Sequence, residues 1–360
     1  MKMQSVKNFY KWLLTLFMWF FVAHLFSQKD SIPIHQKFFD DGIKLIDSAR
    51  YKEAIPLLKK AYKNKPDYWE AMNKSAYAYH KLVDYKNAKK ELDKAQTIAP
   101  LNYEGLKLKA IVLFQNNEFA ACKPVLDTAF YIWNEEKIED EELLYYRALL
   151  MFKGKNYRGA LDVCESATDL KARYTDVIAL KGEIRFVLKE YNYAIKELSE
   201  AINLMPMDKP NVETYKLRAK SKFEVGDFKG AIKDWNVFLD SNPNDEEALI
   251  SRASAKINAN ENSGAISDLD MAIKLNPKNA VSYCYRGVAK GGNRNFVEAL
   301  KDLDYSIKLK FNYPAAYVNR AAIKLAVKDK RGACEDLEKA DSLGSETAIK
   351  LIERYCKQGR

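Results

Sequence analysis

Large and small apolar residues recur along the chain at the spacing of paired helices. The clearest example is residues 175–208, whose second half has apolar residues three or four positions apart: Tyr191, Ala194, Leu198 and Ala201. This spacing is typical of one face of an α-helix. Pro206 then ends the segment, because proline cannot continue a helix. The stretch predicts two short helices joined by a turn, and such a pair needs similar neighbours to bury both of its faces.

The same pattern recurs in nine successive units. The units begin at His35, Trp69, Tyr103, Glu141, Thr175, Val212, Glu246, Ala280 and Pro314. Counted from each start, position 20 is small in every unit and holds Ala54, Ala88, Cys122, Ala160, Ala194, Ala231, Ala265, Ala299 and Ala333. Position 24 is mostly large and apolar and holds Leu58, Leu92, Leu126, Cys164, Leu198, Trp235, Leu269, Leu303 and Leu337. A proline closes five of the units: Pro66, Pro100, Pro206, Pro243 and Pro277.

These columns resemble the tetratricopeptide repeat (TPR) family, whose unit is a pair of helices in 34 residues. The resemblance covers roughly nine-tenths of the chain. It implies an all-α fold, namely a right-handed superhelical α-solenoid of about nine helix hairpins over residues 35–345. Residues 346–360 are expected to form a capping helix and tail, because terminal repeats need a polar outer face for solubility.

Residues 1–27 differ from the repeats. Lysines precede an apolar run without any acid: Lys2, Lys7 and Lys11 come before Trp12–Phe26. A basic start and an apolar core of about fifteen residues are typical of a secretory signal peptide, whereas a membrane-spanning helix needs about twenty. We therefore predict cleavage near Ser27, a linker over 28–34, and export to the periplasm or cell envelope of a bacterium. The alternative is a signal anchor that is not cleaved, which would be the chain's only link to a membrane.

The distribution of charge and the motifs of the sequence exclude several classes of function. The formal net charge is +10, and the basic excess is spread along the predicted helices. Because no block of Lys and Arg with interleaved aromatic residues occurs, we predict no nucleic-acid binding. The sequence has no glycine-rich phosphate loop, zinc-binding helix motif or nucleophile elbow. We therefore predict a protein that is not an enzyme and uses neither a cofactor nor a metal.

The five cysteines allow two interpretations. Cys122, Cys164 and Cys334 occupy packing columns, where cysteine acts as a compact apolar filler. This favours unpaired core cysteines, and the spacings match no zinc pattern. The alternative is a disulfide between Cys334 and Cys356, because a terminal helix that folds onto the ninth unit would bring these two residues close.

Charged residues form columns in the last four units. Position 7 holds Arg218, Arg252, Arg286 and Arg320, and position 11 holds Lys222, Lys256, Lys290 and Lys324. Position 23 holds Asp234, Asp268, Asp302 and Asp336. Arginine and lysine four residues apart share a helix face and would repel if unpaired. We therefore predict a structural ladder of ion pairs between helices. A basic stripe for an acidic ligand is the alternative.

An acidic cluster lies between the third and fourth units. It consists of Glu135, Glu136, Glu139, Asp140, Glu141 and Glu142. Acids are favoured near a helix N-terminus by the helix dipole. We expect a solvated connection followed by a helix start, and the alternative is a recognition loop for a basic partner.

The TPR resemblance also implies a binding surface, because positions 2, 5, 9 and 12 of the first helices line the concave groove in that family. In units two to six the candidate groove residues are Asn73, Tyr77, His80, Lys107, Phe114, Tyr145, Leu149, Phe152, Glu183, Phe186, Lys216, Lys220 and Phe223. The alternative for the position-12 residues Phe114, Phe152, Phe186 and Phe223 is packing between helices. The same alternative is open for Tyr77 and Tyr145.

The function that follows is a scaffold for protein–protein contacts in a bacterial cell envelope. Aromatic anchors with polar neighbours suit a peptide or protein segment held in the concave groove. Two alternatives stay open: a self-associating structural array, and the same solenoid held at the inner membrane as an anchored adaptor. The sequence does not identify the partner.

Overall fold

The computed structural model describes residues 32–206 and 211–356. These residues form nineteen α-helices and no strand. The helices are α1 Ile34–Asp47, α2 Tyr51–Asn64, α3 Trp69–Lys81, α4 Tyr85–Ile98, α5 Tyr103–Gln115, α6 Phe119–Glu136, α7 Glu141–Lys153, α8 Tyr157–Leu170, α9 Thr175–Val187, α10 Tyr191–Leu204, α11 Val212–Glu224, α12 Phe228–Ser241, α13 Glu246–Asn258, α14 Asn262–Leu275, α15 Ala280–Gly292, α16 Phe296–Leu309, α17 Pro314–Ala326, α18 Lys330–Ser342 and α19 Glu346–Tyr355. The predicted all-α fold of paired helices is confirmed.

The helices belong to two compact units, with the boundary after Leu150 within α7. In the first unit α1 packs on α2, α3 on α4 and α5 on α6. In the second unit the hairpins run from α9 and α10 to α17 and α18, followed by α19. First helices of successive hairpins also contact each other, for example α3 with α5 and α13 with α15. Each unit therefore presents a continuous face made of first helices.

Helix boundaries follow from local sequence signals. Eight of the first helices begin at the start of a predicted unit, and α1 begins at Ile34, one residue before His35. Polar side chains cap several starts, as when Asp227 accepts a hydrogen bond from Gly230 N at 2.9 Å. The residue at position 15 of each repeat follows the first helix and has a positive φ, which is the left-handed conformation that ends a helix. This residue is Val83 in the second repeat and Gly226 in the sixth.

Within each compact unit the core lies between the two helices of a hairpin and between neighbouring hairpins. All nine position-20 residues are fully buried. The helices approach so closely that position 8 must be small. A Cβ added to Gly182 would lie 2.5 Å from Leu198 Cγ, and one added to Gly287 would lie 2.8 Å from Leu303 Cγ. The alternation of small and large residues thus sets the distance between paired helices.

A disulfide joins the C-terminal elements. Cys334 in α18 is bonded to Cys356, the residue that follows α19, with their Cα atoms 5.8 Å apart. The interpretation of Cys334 as an unpaired core filler is therefore wrong, because α19 folds back onto α18 and brings the two thiols together. Ala348 of α19 is fully buried in the same cluster. Cys122, Cys164 and Cys284 are buried and unpaired.

Several sequence predictions lie outside the described residues. They concern the signal peptide or anchor over 1–27, the linker up to residue 31, and the tail from 357. Within the described ranges, no helix combines the length and the apolar character needed to span a membrane.

Candidate functional site

A pocket of about 350 Å³ opens on the first-helix face of the first compact unit, and we call it the first-unit pocket. Its lining comes from α3, from α5 and from the start of α7. The lining residues are Trp69, Glu70, Asn73, Lys74, Tyr77, His80, Lys81, Glu104, Lys107, Leu108, Ile111 and Glu142. Four of the predicted groove residues, Asn73, Tyr77, His80 and Lys107, are thus brought together.

Asn73 is buried and held in a fixed orientation. Asn102 caps α5 by accepting a hydrogen bond from Gly105 N, so its Oδ1 is the acceptor in this network. Asn73 Nδ2 donates to the same Oδ1 at 2.8 Å. Asn73 Oδ1 is consequently left without a hydrogen-bond partner, although only 7% of the residue is exposed. Buried acceptors are normally paired, so this oxygen is an exception, and it has almost no solvent-accessible surface of its own.

His80 is half-buried at the other end of the pocket. Its Nε2 lies 2.7 Å from Gln115 Oε1, and its Nδ1 is buried without a partner. Burial lowers the pKa of His80, and the hydrogen bond between its ring and Gln115 Oε1 only partly opposes this effect. The imidazole is therefore neutral near pH 7. The ring contacts Tyr77, whose centroid is 6.4 Å away.

Lys107 is neutralised by acids of the connection before α7. Its Nζ lies 2.7 Å from Asp140 and 3.3 Å from Glu142. Burial alone would lower the pKa of Lys107, but the hydrogen bond and charge of Asp140 outweigh burial and raise it. Tyr103 donates to the same Asp140 at 2.9 Å, and Asp140 also accepts from Leu143 N at 3.0 Å.

The expectation of a solvated acidic connection is therefore wrong for Asp140. Its side chain is only 11% exposed, because it fixes Tyr103 and Lys107 while it caps α7. Burial would raise the pKa of Asp140, but Lys107 and the N–H of Leu143 lower it. Glu135, Glu136 and Glu139 remain exposed.

The four position-12 phenylalanines pack within their own hairpins. Each ring contacts the aromatic residue that opens the next helix, at 5.2 to 5.7 Å between centroids: Phe114 with Phe119, Phe152 with Tyr157, Phe186 with Tyr191, and Phe223 with Phe228. The structure therefore matches the alternative interpretation, packing between helices. Tyr145 and Leu149 are half-buried and lie outside the first-unit pocket.

A second pocket of about 260 Å³ lies on the first-helix face of the second compact unit, and we call it the second-unit pocket. Its lining residues are Phe186, Lys220, Phe223, Glu224, Trp235, Ile250, Ser251, Ser254 and Tyr285. Phe186 and Phe223 thus keep one edge accessible. Ile250 and Ser254 occupy positions 5 and 9 of the seventh unit, so the same positional rule would have found them. Trp235 comes from a second helix, for which no sequence signal existed.

The charged candidates of the second unit are mostly paired. Lys220 lies 2.8 Å from Glu247, and Lys216 lies 3.6 Å from Asp245. Lys216 also lies 4.7 Å from the centroid of the Phe238 ring. Glu183 is exposed, yet surrounding protein raises the pKa of its carboxyl by desolvation. These pairs leave the second-unit pocket mainly apolar.

The position-7 arginines form bidentate ion pairs with the position-23 aspartates. In the eighth repeat Arg286 donates to both oxygens of Asp302 at 2.8 and 2.7 Å, and Lys290 lies 2.7 Å from the same carboxylate. The other three repeats have the same arrangement around Asp234, Asp268 and Asp336. These contacts are internal and use both lysine and arginine, so no free basic stripe remains.

Sequence reasoning missed the residue that links each arginine to the preceding hairpin. The remaining arginine nitrogen donates to position 25 of the repeat before it. These acceptors are Ser199, Asn236, Asp270 and Asp304. In the first compact unit Lys109 lies 2.6 Å from Asp93, which occupies the same position 25. Position 25 was not recognised in the sequence because its residue type varies between repeats.

Comparison with known proteins agrees with this architecture. A family model described as tetratricopeptide repeat matches residues 40–103. This chain therefore carries tetratricopeptide repeats in that segment. Its TPR hairpins also superpose on the structure of PilF from Pseudomonas aeruginosa, with a TM-score of 0.52 at 16% identity over 58% of this chain and 92% of that one. At this identity the likeness shows the fold alone.

Curated relatives match a limited part of this TPR protein. Serine/threonine-protein phosphatase 5 from Rattus norvegicus is 27% identical over 114 residues, which are 32% of this chain and 22% of that protein. The Mus musculus protein is 28% identical over 97 residues, or 27% and 19%. The chain thus spans about a fifth of the length of the curated relatives it matches. TPR repeats indicate a protein–protein interaction scaffold.

Proposed function

We propose that the protein binds an extended or helical segment of a partner protein along the first helices of its hairpins. The observation that carries this proposal is that both pockets are lined mainly by first-helix residues. Each combines aromatic or aliphatic walls with a few polar groups, which is the composition that anchors peptide segments. The proposed role is non-enzymatic, and three titratable side chains of the pockets already have partners: His80 Nε2 with Gln115, Lys107 with Asp140, and Lys220 with Glu247.

We also propose that the protein works outside the cytoplasm, in the cell envelope of a bacterium. The lysine-flanked apolar run of residues 1–27 supports this proposal. The disulfide between Cys334 and Cys356 supports it as well, since such bonds persist mainly in oxidising compartments. N-terminal sequencing of the protein from its native cell tests the idea. A chain that begins near Gln28 is expected, and an intact Met1 would contradict cleavage.

The binding proposal is tested by selecting random twelve-residue peptides from a displayed library on the wild-type protein. Binding of each selected peptide is then measured on Tyr77→Ala and on Phe223→Ala, which truncate one wall of each pocket. We expect each peptide to lose at least tenfold in affinity on one of the two variants. Tyr131→Ala is the matched control, because Tyr131 is 65% exposed and lies outside both pockets. Peptides that bind all three variants equally well would refute the proposal.

A further inference from the structure

The first-unit pocket has unpaired hydrogen-bond acceptors. Asn73 Oδ1 is identified as an acceptor by the network around Asn102, and it has no donor. His80 Nδ1 is also unpaired, and with Nε2–H donating to Gln115 Oε1 it is the acceptor of a neutral imidazole. Leaving such buried groups unpaired is costly, so a ligand rich in donors gains here once a small rotation of the side chain brings either atom to the pocket surface.

Three acids and three lysines line this pocket, but they are not all paired with one another. Glu70 and Glu104 line it, and neither forms an ion pair with any residue that the structure describes. The charge of Lys107 is already neutralised by Asp140 and Glu142. Lys74 and Lys81 are exposed, so their long side chains can turn toward solvent when a ligand arrives.

The aromatic wall already accommodates a cation. Lys81 Nζ lies 5.1 Å from the centroid of the Tyr77 ring. A positive charge in this position is attracted by the face of the ring. Tyr77 lies between Asn73 and His80 on the same face of α3, so a cation stacked on it would be close to the unpaired acceptors.

We propose that the first-unit pocket binds the guanidinium group of an arginine in the partner segment. This inference rests on the proposed function and specifies the chemistry of its partner. A guanidinium is planar, stacks on aromatic rings and offers several N–H donors, whereas an ammonium is a compact, strongly hydrated charge. Asn73 and His80 are about 10 Å apart along the helix axis, so the guanidinium meets one acceptor and main-chain N–H groups of the same segment meet the other.

Defined peptides test this assignment on the full-length protein. The probes are acetyl-Gly-Ser-Arg-Ser-Gly-amide and its counterparts with citrulline, lysine or glutamate in place of arginine, titrated by calorimetry at low salt. Citrulline is the matched control, because it has nearly the shape of arginine without the charge. We expect the arginine peptide to bind at least tenfold more tightly than the citrulline peptide. A lysine or glutamate peptide that binds as tightly as the arginine peptide would overturn the assignment.

Variants of the two pockets test where the arginine peptide binds and whether a loss of binding is due to misfolding. Tyr77→Ala is expected to weaken arginine binding at least tenfold, and Phe223→Ala in the second-unit pocket is expected to leave it unchanged. Lys81→Met is expected to strengthen binding severalfold, because it removes the competing cation, and an unfolded variant could not produce this gain. Loss of binding in Lys81→Met would contradict the proposal.

The outcomes separate this inference from the proposed function. If none of the four peptides binds while displayed peptides still depend on Tyr77 or Phe223, the arginine assignment fails and segment binding stands. If the displayed peptides that depend on Tyr77 are enriched in arginine, both are supported.

Discussion

The first compact unit and the last four hairpins of the second use different polar groups to hold similar helix pairs. In residues 212–342 each buried aspartate of the ladder is matched by an arginine and a lysine. In the first unit Arg147 reaches Asp127 only at 3.6 Å, and its Nη1 has no hydrogen bond. Seven buried polar atoms lack a partner among the described residues, and five of them lie in the first unit. Unsatisfied groups are thus more frequent in the first unit than around the ladder, and two of them, Asn73 Oδ1 and His80 Nδ1, belong to residues of the first-unit pocket.

The largest expected effect comes from removing an acid of the ladder. Asp302→Ala leaves the largely buried Lys290 without its counter-ion and Arg286 with only the exposed Asp270, and we expect it to lower the free energy of unfolding by about 3 kcal/mol or more. Asp270→Ala is the matched control. Its carboxylate bonds to the same arginine but its side chain is 55% exposed, so the expected loss is less than about 1 kcal/mol. Urea unfolding measures both, and equal losses would mean that burial of the aspartate is unimportant.

The disulfide should stabilise the end of the second unit by a comparable free energy of unfolding. It closes a loop with a sequence separation of 22 residues, for which the expected stabilisation is about 3 kcal/mol. Cys356→Ser should therefore speed hydrogen exchange in α19. The first unit is the internal control, and its amides should exchange at unchanged rates. Unchanged exchange in α19 would show that packing of Ala348 alone holds this helix.

Two arginines in the same column give a sharper comparison. Arg286→Met should cost about 2 kcal/mol, because it leaves Asp302 with Lys290 alone. Arg147→Met should cost less than about 1 kcal/mol, because the lost ion pair is long and burial already lowers the pKa of Arg147. Methionine keeps much of the packing on Phe130, whose ring centroid lies 3.7 Å from Arg147 Cζ. If Arg147→Met proves the more costly change, the contrast between the two regions is wrong.

The smallest effect concerns the turns. Val83 has φ of 62°, a left-handed conformation that is unfavourable for a β-branched residue, whereas the equivalent residue of the sixth repeat is Gly226 with φ of 82°. Val83→Gly should stabilise the first unit by roughly 0.5 kcal/mol, and Gly226→Val should destabilise the second by about 1 kcal/mol. Thermal unfolding of the two variants, with shifts in opposite directions, checks the pair.

Most of the fold could be predicted because packing dictates it locally. The close approach at Gly182 and Leu198 requires a small and a large residue at a fixed spacing, so the hairpins and their boundaries are visible as columns. The ladder charges are equally regular. The position-25 acceptors vary from Ser199 to Asp304, since several side chains can accept from an arginine, and this variation hid them.

The candidate site was less accessible to sequence reasoning. Periodicity indicates which face of a helix is buried, but it does not distinguish a half-buried ring that packs inside a hairpin from one that lines a groove. Phe223 does both. The hydrogen bond of Asp140 with Tyr103 and the disulfide of Cys334 with Cys356 join residues that are 37 and 22 positions apart in sequence. A local sequence pattern does not predict such contacts. The assignment of groove residues to partner binding therefore stays a prediction.

The arginines that reach back to position 25 have a consequence for how the last four hairpins come apart. In each of these hairpins one arginine bonds both to the aspartate of its own hairpin and to position 25 of the preceding hairpin. Unfolding of one hairpin therefore removes a hydrogen-bond partner from the arginine of the next. The stability of a repeat array is a sum of the stabilities of its repeats and of the interfaces between neighbouring repeats. Strong interfaces increase the number of repeats that unfold together. These hairpins should consequently melt as a single cooperative block rather than fray one at a time.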